Sequence, residues 1–161
     1  MIVVADTSPL NYLIQIECDV ALPKLYGRIV VPSGVMNELR DPGAPSSVNA
    51  WLLNPPDWID VVSLTIPPDP RLDGLGIGER EAIQLSGTLN ADLLLIDERK
   101  GRLEAHRRGF RTTGTLGVLI AAGLMKLVDP ESAYSRLVAE TSFRTSPGLE
   151  SEFRAQLDAI R

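Results

Sequence analysis

A single cysteine, Cys18, and a single histidine, His106, are all that 161 residues supply of two residue types central to metal and acid–base chemistry. One thiol closes no disulfide and builds no Cys-based zinc site within a chain, so Cys18 reads as a small buried hydrophobe suited to a reducing cytosol. One imidazole excludes a ribonuclease of the His-pair kind, and His106 reads as a helix-surface group. Positive charge is scarce: 16 Lys and Arg face 21 Asp and Glu, a net charge of -5. That balance argues against a sequence-independent binder that coats phosphate with cations. Long apolar runs are missing too. Leu116 to Leu124, the longest late in the chain, is far short of a membrane span and is followed by Lys126. Asp6 interrupts the first apolar stretch, with no basic segment before it, so no secretory signal is visible. The expectation is a soluble, cytoplasmic protein without membrane contact.

The length and an apolar fraction of 44% fit one domain, residues 1–161, with a real core. Short apolar runs at Ile2 to Ala5, Arg28 to Val31, Ile59 to Val62, Leu93 to Ile96 and Phe110 to Thr113 read as strands. Between them, helical patterns cover roughly Pro9 to Glu17, Ser33 to Arg40, Ser46 to Leu53, Glu79 to Leu89, Arg99 to Arg108 and Thr115 to Leu124. Asp41 to Pro45 and Ile66 to Gly78 are turn-rich loops. Residues 130–161 form a C-terminal helical extension, with helices at Ser132 to Glu140 and Leu149 to Ile160. Strands alternating with helices predict an α/β fold of three layers, a mostly parallel sheet covered on both faces.

Ile2-Val3-Val4-Ala5 has the pattern of a strand buried on both sides, yet it ends on the ionisable Asp6. Asp92-Leu93-Leu94-Leu95-Ile96-Asp97 ends in the same manner. In an open parallel sheet the C-terminal ends of the strands collect on one rim, where ligands bind. A helix N-cap explains one such Asp but explains two in the same position less well. Glu38 borders the apolar stripe of its helix. Glu79 and Glu81 sit in a first helical turn, where the macrodipole by itself favours acids. If Asp6, Glu38, Glu81 and Asp97 meet, each pair at a few ångströms repels by about 4 kcal/mol at an effective dielectric near 20. Such a cluster calls for a counter-ion, and all-oxygen donors select a hard cation, Mg²⁺ or Mn²⁺.

Four stretches carry a family resemblance: Val4-Ala5-Asp6-Thr7-Ser8-Pro9-Leu10, Val31 to Leu39 with Glu38, Gly78-Glu79-Arg80-Glu81-Ala82-Ile83, and Ala91 to Arg99 with Asp97. They resemble the PIN-domain family, and within it the VapC-like branch whose first motif reads Asp-Thr-Ser-Pro-Leu. The likeness extends over Arg102, over Gly109 to Gly117 and over the tail containing Phe143-Arg144. It implies a PIN-like α/β/α fold and a metal-dependent ribonuclease whose acids hold one or two Mg²⁺ or Mn²⁺ ions. Asp6, Glu38, Glu81 and Asp97 match the four acids. Thr7 and Ser8 match polar positions beside the first. Glu81 begins a Glu-Ala-Ile run that matches the family's Asp-Ala-aliphatic pattern. Glu79 is the alternative third acid, since residues two apart on a helix point about 200° apart and both cannot face one ion. Glu98 stands directly behind the fourth acid, as a supporting or merely solvated residue.

The chemistry expected is hydrolysis of RNA, single-stranded or structured, by metal-activated water. Arg99, Lys100 and Arg102 are expected to hold flanking phosphates, with Thr113 and Thr115 as a second anion site at a helix N-terminus. Pairing of those cations with acids such as Glu98 and Glu104 is the bland alternative. A haloacid-type phosphatase would need a carboxylate where Ser8 stands, and a receiver domain would need paired acids at its first strand end. The remaining rival is a PIN-like module that binds RNA or protein without cutting. Kinship with VapC-like toxins further implies a cognate antitoxin partner and a homodimer.

Overall fold

The computed structural model describes residues 1–161. Its centre is a five-stranded sheet in the order β3-β2-β1-β4-β5, from Val3–Ala5 (β1), Ile29–Pro32 (β2), Ile59–Val62 (β3), Leu93–Leu95 (β4) and Thr112–Thr113 (β5). Every neighbouring pair is parallel, with Val3 opposite both Ile29 and Leu93, and Ala5 opposite Leu95. β-Branched and leucine side chains suit strands packed on both faces, and β1 and β4 are buried throughout. The chain runs from β1 outward to β2 and β3, then returns to lay β4 on the other flank of β1. Strand order therefore reverses between β1 and β4, and the crevice beyond their carboxyl ends is where such sheets bind ligands.

Period-two alternation divides the core. Val3, Ala5, Leu93 and Leu95 face one layer, built from α1 (Thr7–Gln15), α2 (Ala21–Tyr26), α4 (Ser46–Leu53), α7 (Thr115–Leu124), α8 (Pro130–Glu140) and α9 (Pro147–Ile160). Val4, Leu94 and Ile96 face a thinner layer with Leu72, Ala82, Ile83, Leu85 and Ala105, supplied by α5 (Ile77–Leu89), α6 (Arg99–Arg107) and a 3-10 turn at Pro70–Leu72. α3 (Ser33–Leu39) follows β2 at the rim, sends Val35, Met36 and Leu39 into the first layer and lies beside α5. No helix is long and apolar enough to cross a membrane.

The tail belongs to the packing. Tyr134 of α8 stacks on Phe153 of α9 with centroids 4.7 Å apart, and Leu137 and Leu157 are buried in the larger core. Both tail helices start two residues earlier than their apolar pattern. Pro130 and Pro147 occupy first-turn positions that lack an N–H partner anyway, and Asp129 and Ser146 cap them. α1 likewise begins at Thr7, ahead of Pro9, and α5 begins at Ile77 rather than Glu79. β5 is shorter than expected because the Phe110 N–H closes α6 by donating to Ala105 O. α2 was not visible in the pattern: it spans only six residues, contains Pro23, and stops at Gly27, whose φ of 76° places it in the left-handed region.

Candidate active site

Asp6 follows β1 and occupies the N-cap position of α1, but its side chain makes no capping bond. Its backbone N–H donates to Leu95 O at 2.9 Å, which ties the end of β1 to the end of β4. The carboxyl is only 3% exposed, and its Oδ1 is buried without a hydrogen-bond partner. Burial pushes its pKa from 3.8 up to about 7, the Thr7 N–H pulls it down, and Glu79, Glu38 and Asp97 push it up. Four acids distant in sequence therefore act on one another across the crevice at the strand-order reversal. Asp97, just past β4, accepts from the Thr115 N–H at 2.6 Å and the Thr115 hydroxyl at 2.7 Å. Burial still raises its pKa, against those two bonds and the positive charge of Arg102.

Glu38 reaches the crevice from α3, where its Oε1 accepts from the Thr7 hydroxyl at 2.5 Å. The third acid differs from the sequence expectation. Glu79, in the first turn of α5, has a buried Oε2 with no partner, and its pKa is raised by burial, then by Glu98 and Glu38. Glu81 turns away, as the 200° step along α5 requires. Its Oε1 accepts from the Gly34 N–H at 3.2 Å, and it lines a separate pocket of about 300 Å³ with Ser33, Arg80 and Gln84. Helix phase therefore sets Glu79, the alternative third acid, beside Asp6 and Glu38, and sets Glu81 beside Gly34.

Three glycines leave room for these carboxylates. A Cβ at Gly78 would strike Glu38 Oε1 and the Thr7 hydroxyl, one at Gly101 would lie 3.0 Å from Glu79 Oε2, and one at Gly114 would lie 2.6 Å from Asp97 Oδ1. Each carboxylate occupies space that an ordinary side chain would fill. No three His, Cys, Asp or Glu side chains stand at a spacing that already encloses a metal ion. The donor set nevertheless suits a hard divalent cation: oxygen only, mutually repelling, with two buried oxygens, Asp6 Oδ1 and Glu79 Oε2, unsatisfied.

The family model of the PIN domain matches residues 2–159, nearly the whole chain. The chain belongs to the PIN-domain family. No curated protein and no solved structure matches it. PIN domains are generally nucleases and usually bind divalent metals, which supports a nuclease-type, hydrolytic function at that coarse level.

In this PIN domain a groove of about 790 Å³ runs from the acid cluster toward the tail. Ser8, Asp97, Glu98, Arg99, Arg102 and Thr113 line it, so these residues share one surface. Thr115 and Lys100 lie outside that lining. Thr115 is fully buried and spends both its N–H and its hydroxyl on Asp97, so it positions a carboxylate and is closed to an anion. Lys100 is exposed on α6 outside the groove lining, because successive residues on a helix point in different directions. Pairing of Arg99 or Arg102 with Glu98 or Glu104 does not occur. Glu104 is held instead by Arg107 and Arg108. Tyr12, Phe143 and Arg144 line the groove as well. The only sequence signal for them was the place of Phe143-Arg144 within the family likeness.

Proposed function

We propose that this PIN domain is a metal-dependent ribonuclease, hydrolysing RNA phosphodiester bonds with one or two Mg²⁺ or Mn²⁺ ions held by Asp6, Glu38, Glu79 and Asp97. The observation that carries this reading is the buried Asp6 carboxyl, unpartnered at Oδ1 and raised to about 7 with three other acids acting on it. Such an arrangement is costly for a merely structural residue and ordinary for a cation site. A bound divalent ion supplies positive charge to the phosphoryl oxygens and lowers the pKa of a water. The chain's own residues set the geometry. Thr115 fixes Asp97 through two bonds, Thr7 orients Glu38, and Glu98 stands close enough to Glu79 to raise its pKa.

The test is cleavage of labelled RNA with Mn²⁺ by the native protein and by Asp6→Asn, Asp97→Asn, Glu79→Gln and Glu81→Gln. The first three substitutions are expected to lower the rate by 100-fold or more, on the order of the loss of a principal electrostatic group. Glu81→Gln is expected to retain most of the rate. A Mn²⁺-induced rise in melting temperature is expected to follow the same division, which separates ion binding from turnover. Equal cutting by all five proteins defeats the assignment.

The finer reading is the toxin of a VapBC-like pair acting in the cytoplasm, supported by the Asp-Thr-Ser-Pro-Leu motif at residues 6–10. An antitoxin and a homodimer partner go with it, and Val20, Leu124 and Met125, 61%, 63% and 55% exposed, offer apolar surface for them. Growth arrest on expression, relieved by a co-expressed small partner, is the expected result. The competing reading, a PIN-like module that binds RNA or protein without cutting, draws on the absence of a preformed metal cage. RNA binding with no cleavage in Mn²⁺ or Mg²⁺ would select it.

A further inference from the structure

Eight arginines, among them Arg28, Arg108 and Arg154, are engaged in ion pairs on the surface. Arg99, Arg102 and Arg144 are in none, and all three line the groove that starts at Asp97. In a chain of net charge -5 the groove thus gathers three unpaired guanidinium groups, matched in number by Asp97, Glu98 and Glu152 along the same lining. Arg99 and Arg102 stand on α6. Arg144 comes from the loop between α8 and α9, more than forty residues later.

That loop is held from several sides. The Tyr134 hydroxyl and the Thr145 hydroxyl are 2.8 Å apart, the Phe143 N–H donates to Thr141 Oγ1 at 3.0 Å, and Thr141 Oγ1 donates to Leu137 O at 2.6 Å. The Phe143 ring meets Tyr12 edge-on at 5.3 Å and 84°, which fastens the loop to α1, the helix that follows Asp6. Arg144 itself is exposed and makes no side-chain bond, so a held backbone presents a free guanidinium to the groove. A planar fork of donors fits phosphate oxygens, and holding the backbone beforehand reduces the entropy lost on binding.

We propose that the α8–α9 loop is one bank of a groove for single-stranded nucleic acid, with Arg144 binding a backbone phosphate away from the cleavage point and Arg99 and Arg102 forming the other bank. The inference rests on the nuclease reading for the strand's identity, and its test does not depend on cleavage. Binding of short labelled single-stranded RNA, and of DNA of the same sequence, is measured by fluorescence anisotropy in EDTA over a range of salt. The proteins are the native chain, Arg144→Ala, Arg144→Glu and Arg144→Lys, with Lys24→Ala as a control that removes an exposed cation outside the groove.

Arg144→Ala is expected to weaken binding about tenfold, as for the loss of a charge-assisted bond. It is also expected to lower the salt slope by about 0.7, one phosphate contact on a single strand. Arg144→Glu weakens it further, Arg144→Lys recovers part, and melting temperatures stay unchanged. Parallel losses on RNA and DNA identify the shared phosphodiester backbone as the ligand, and a loss confined to RNA identifies the ribose-bearing strand. Arg144→Ala binding like Lys24→Ala overturns the proposal, and so does a native chain that binds neither strand. Arg144-dependent binding by a protein that never cleaves would keep the groove and remove the hydrolytic reading instead.

Discussion

At the residue scale, Asp6 sets the protein's response to pH. Its folded pKa of about 7 lies above its ordinary 3.8, so between those values the folded state binds the extra proton. Stability contributed by that proton is present below about pH 4 and is lost as pH rises through 7. Asp97 and Glu79, also raised by burial, act in the same direction. Asp69, held down to about 2 by Arg71 and Arg108, stays ionised across this window and does not offset them. The Asp6 shift corresponds to on the order of 4 kcal/mol. In EDTA the melting temperature is therefore expected to fall between pH 5 and pH 8, and Asp6→Asn is expected to flatten that fall by several degrees at about 2–4 °C per kcal/mol. Mn²⁺ at pH 8 should restore the native chain but not Asp6→Asn. A pH-independent melting temperature in the metal-free native protein would count against a buried, mutually repelling cluster.

At the element scale, α5 does two jobs through neighbouring residues. Its first turn carries Glu79 into the crevice, while Gly78 leaves the gap that Glu38 and Thr7 occupy. Alanine is the better helix former by about 1 kcal/mol, so Gly78→Ala favours α5 itself. The added methyl meets the end of a flexible glutamate and the Thr7 hydroxyl, which can move aside at small cost to the fold. Gly78→Ala is thus expected to leave thermal stability nearly unchanged while lowering Mn²⁺-dependent cleavage at least tenfold, because Glu38 is displaced. Calorimetry and a cleavage assay on one preparation check both halves. Most elements were legible in the sequence, because apolar period and caps are local signals. Helix phase was not. Glu79 and Glu81 are equally plausible in a first turn, and only packing of α5 against β1 and β2 points one of them at Asp6.

At the scale of the whole molecule, the tail decides how far the site extends. Read from sequence, residues 130–161 were an extension; in the fold, Phe153 and Leu157 are 2% exposed and close the larger core. Phe153→Ala is expected to cost about 3–5 kcal/mol, about 10 °C in melting temperature, measured by calorimetry. An appended helix would show almost no change. The same packing carries the α8–α9 loop to the groove that Asp97 lines.

The sequence by itself determined the alternation of strands and helices, the two aspartates closing buried strands and the oxygen-only donor set. The first two are written in residues adjacent along the chain, and the third in a composition with one Cys and one His. Tertiary structure alone decided that Glu79 rather than Glu81 lies beside Asp6, that Thr115 holds Asp97, and that Arg144 lines the same groove as Arg99 and Arg102. Those outcomes depend on the rotation of packed helices and on contacts between segments far apart in order, which no local period encodes.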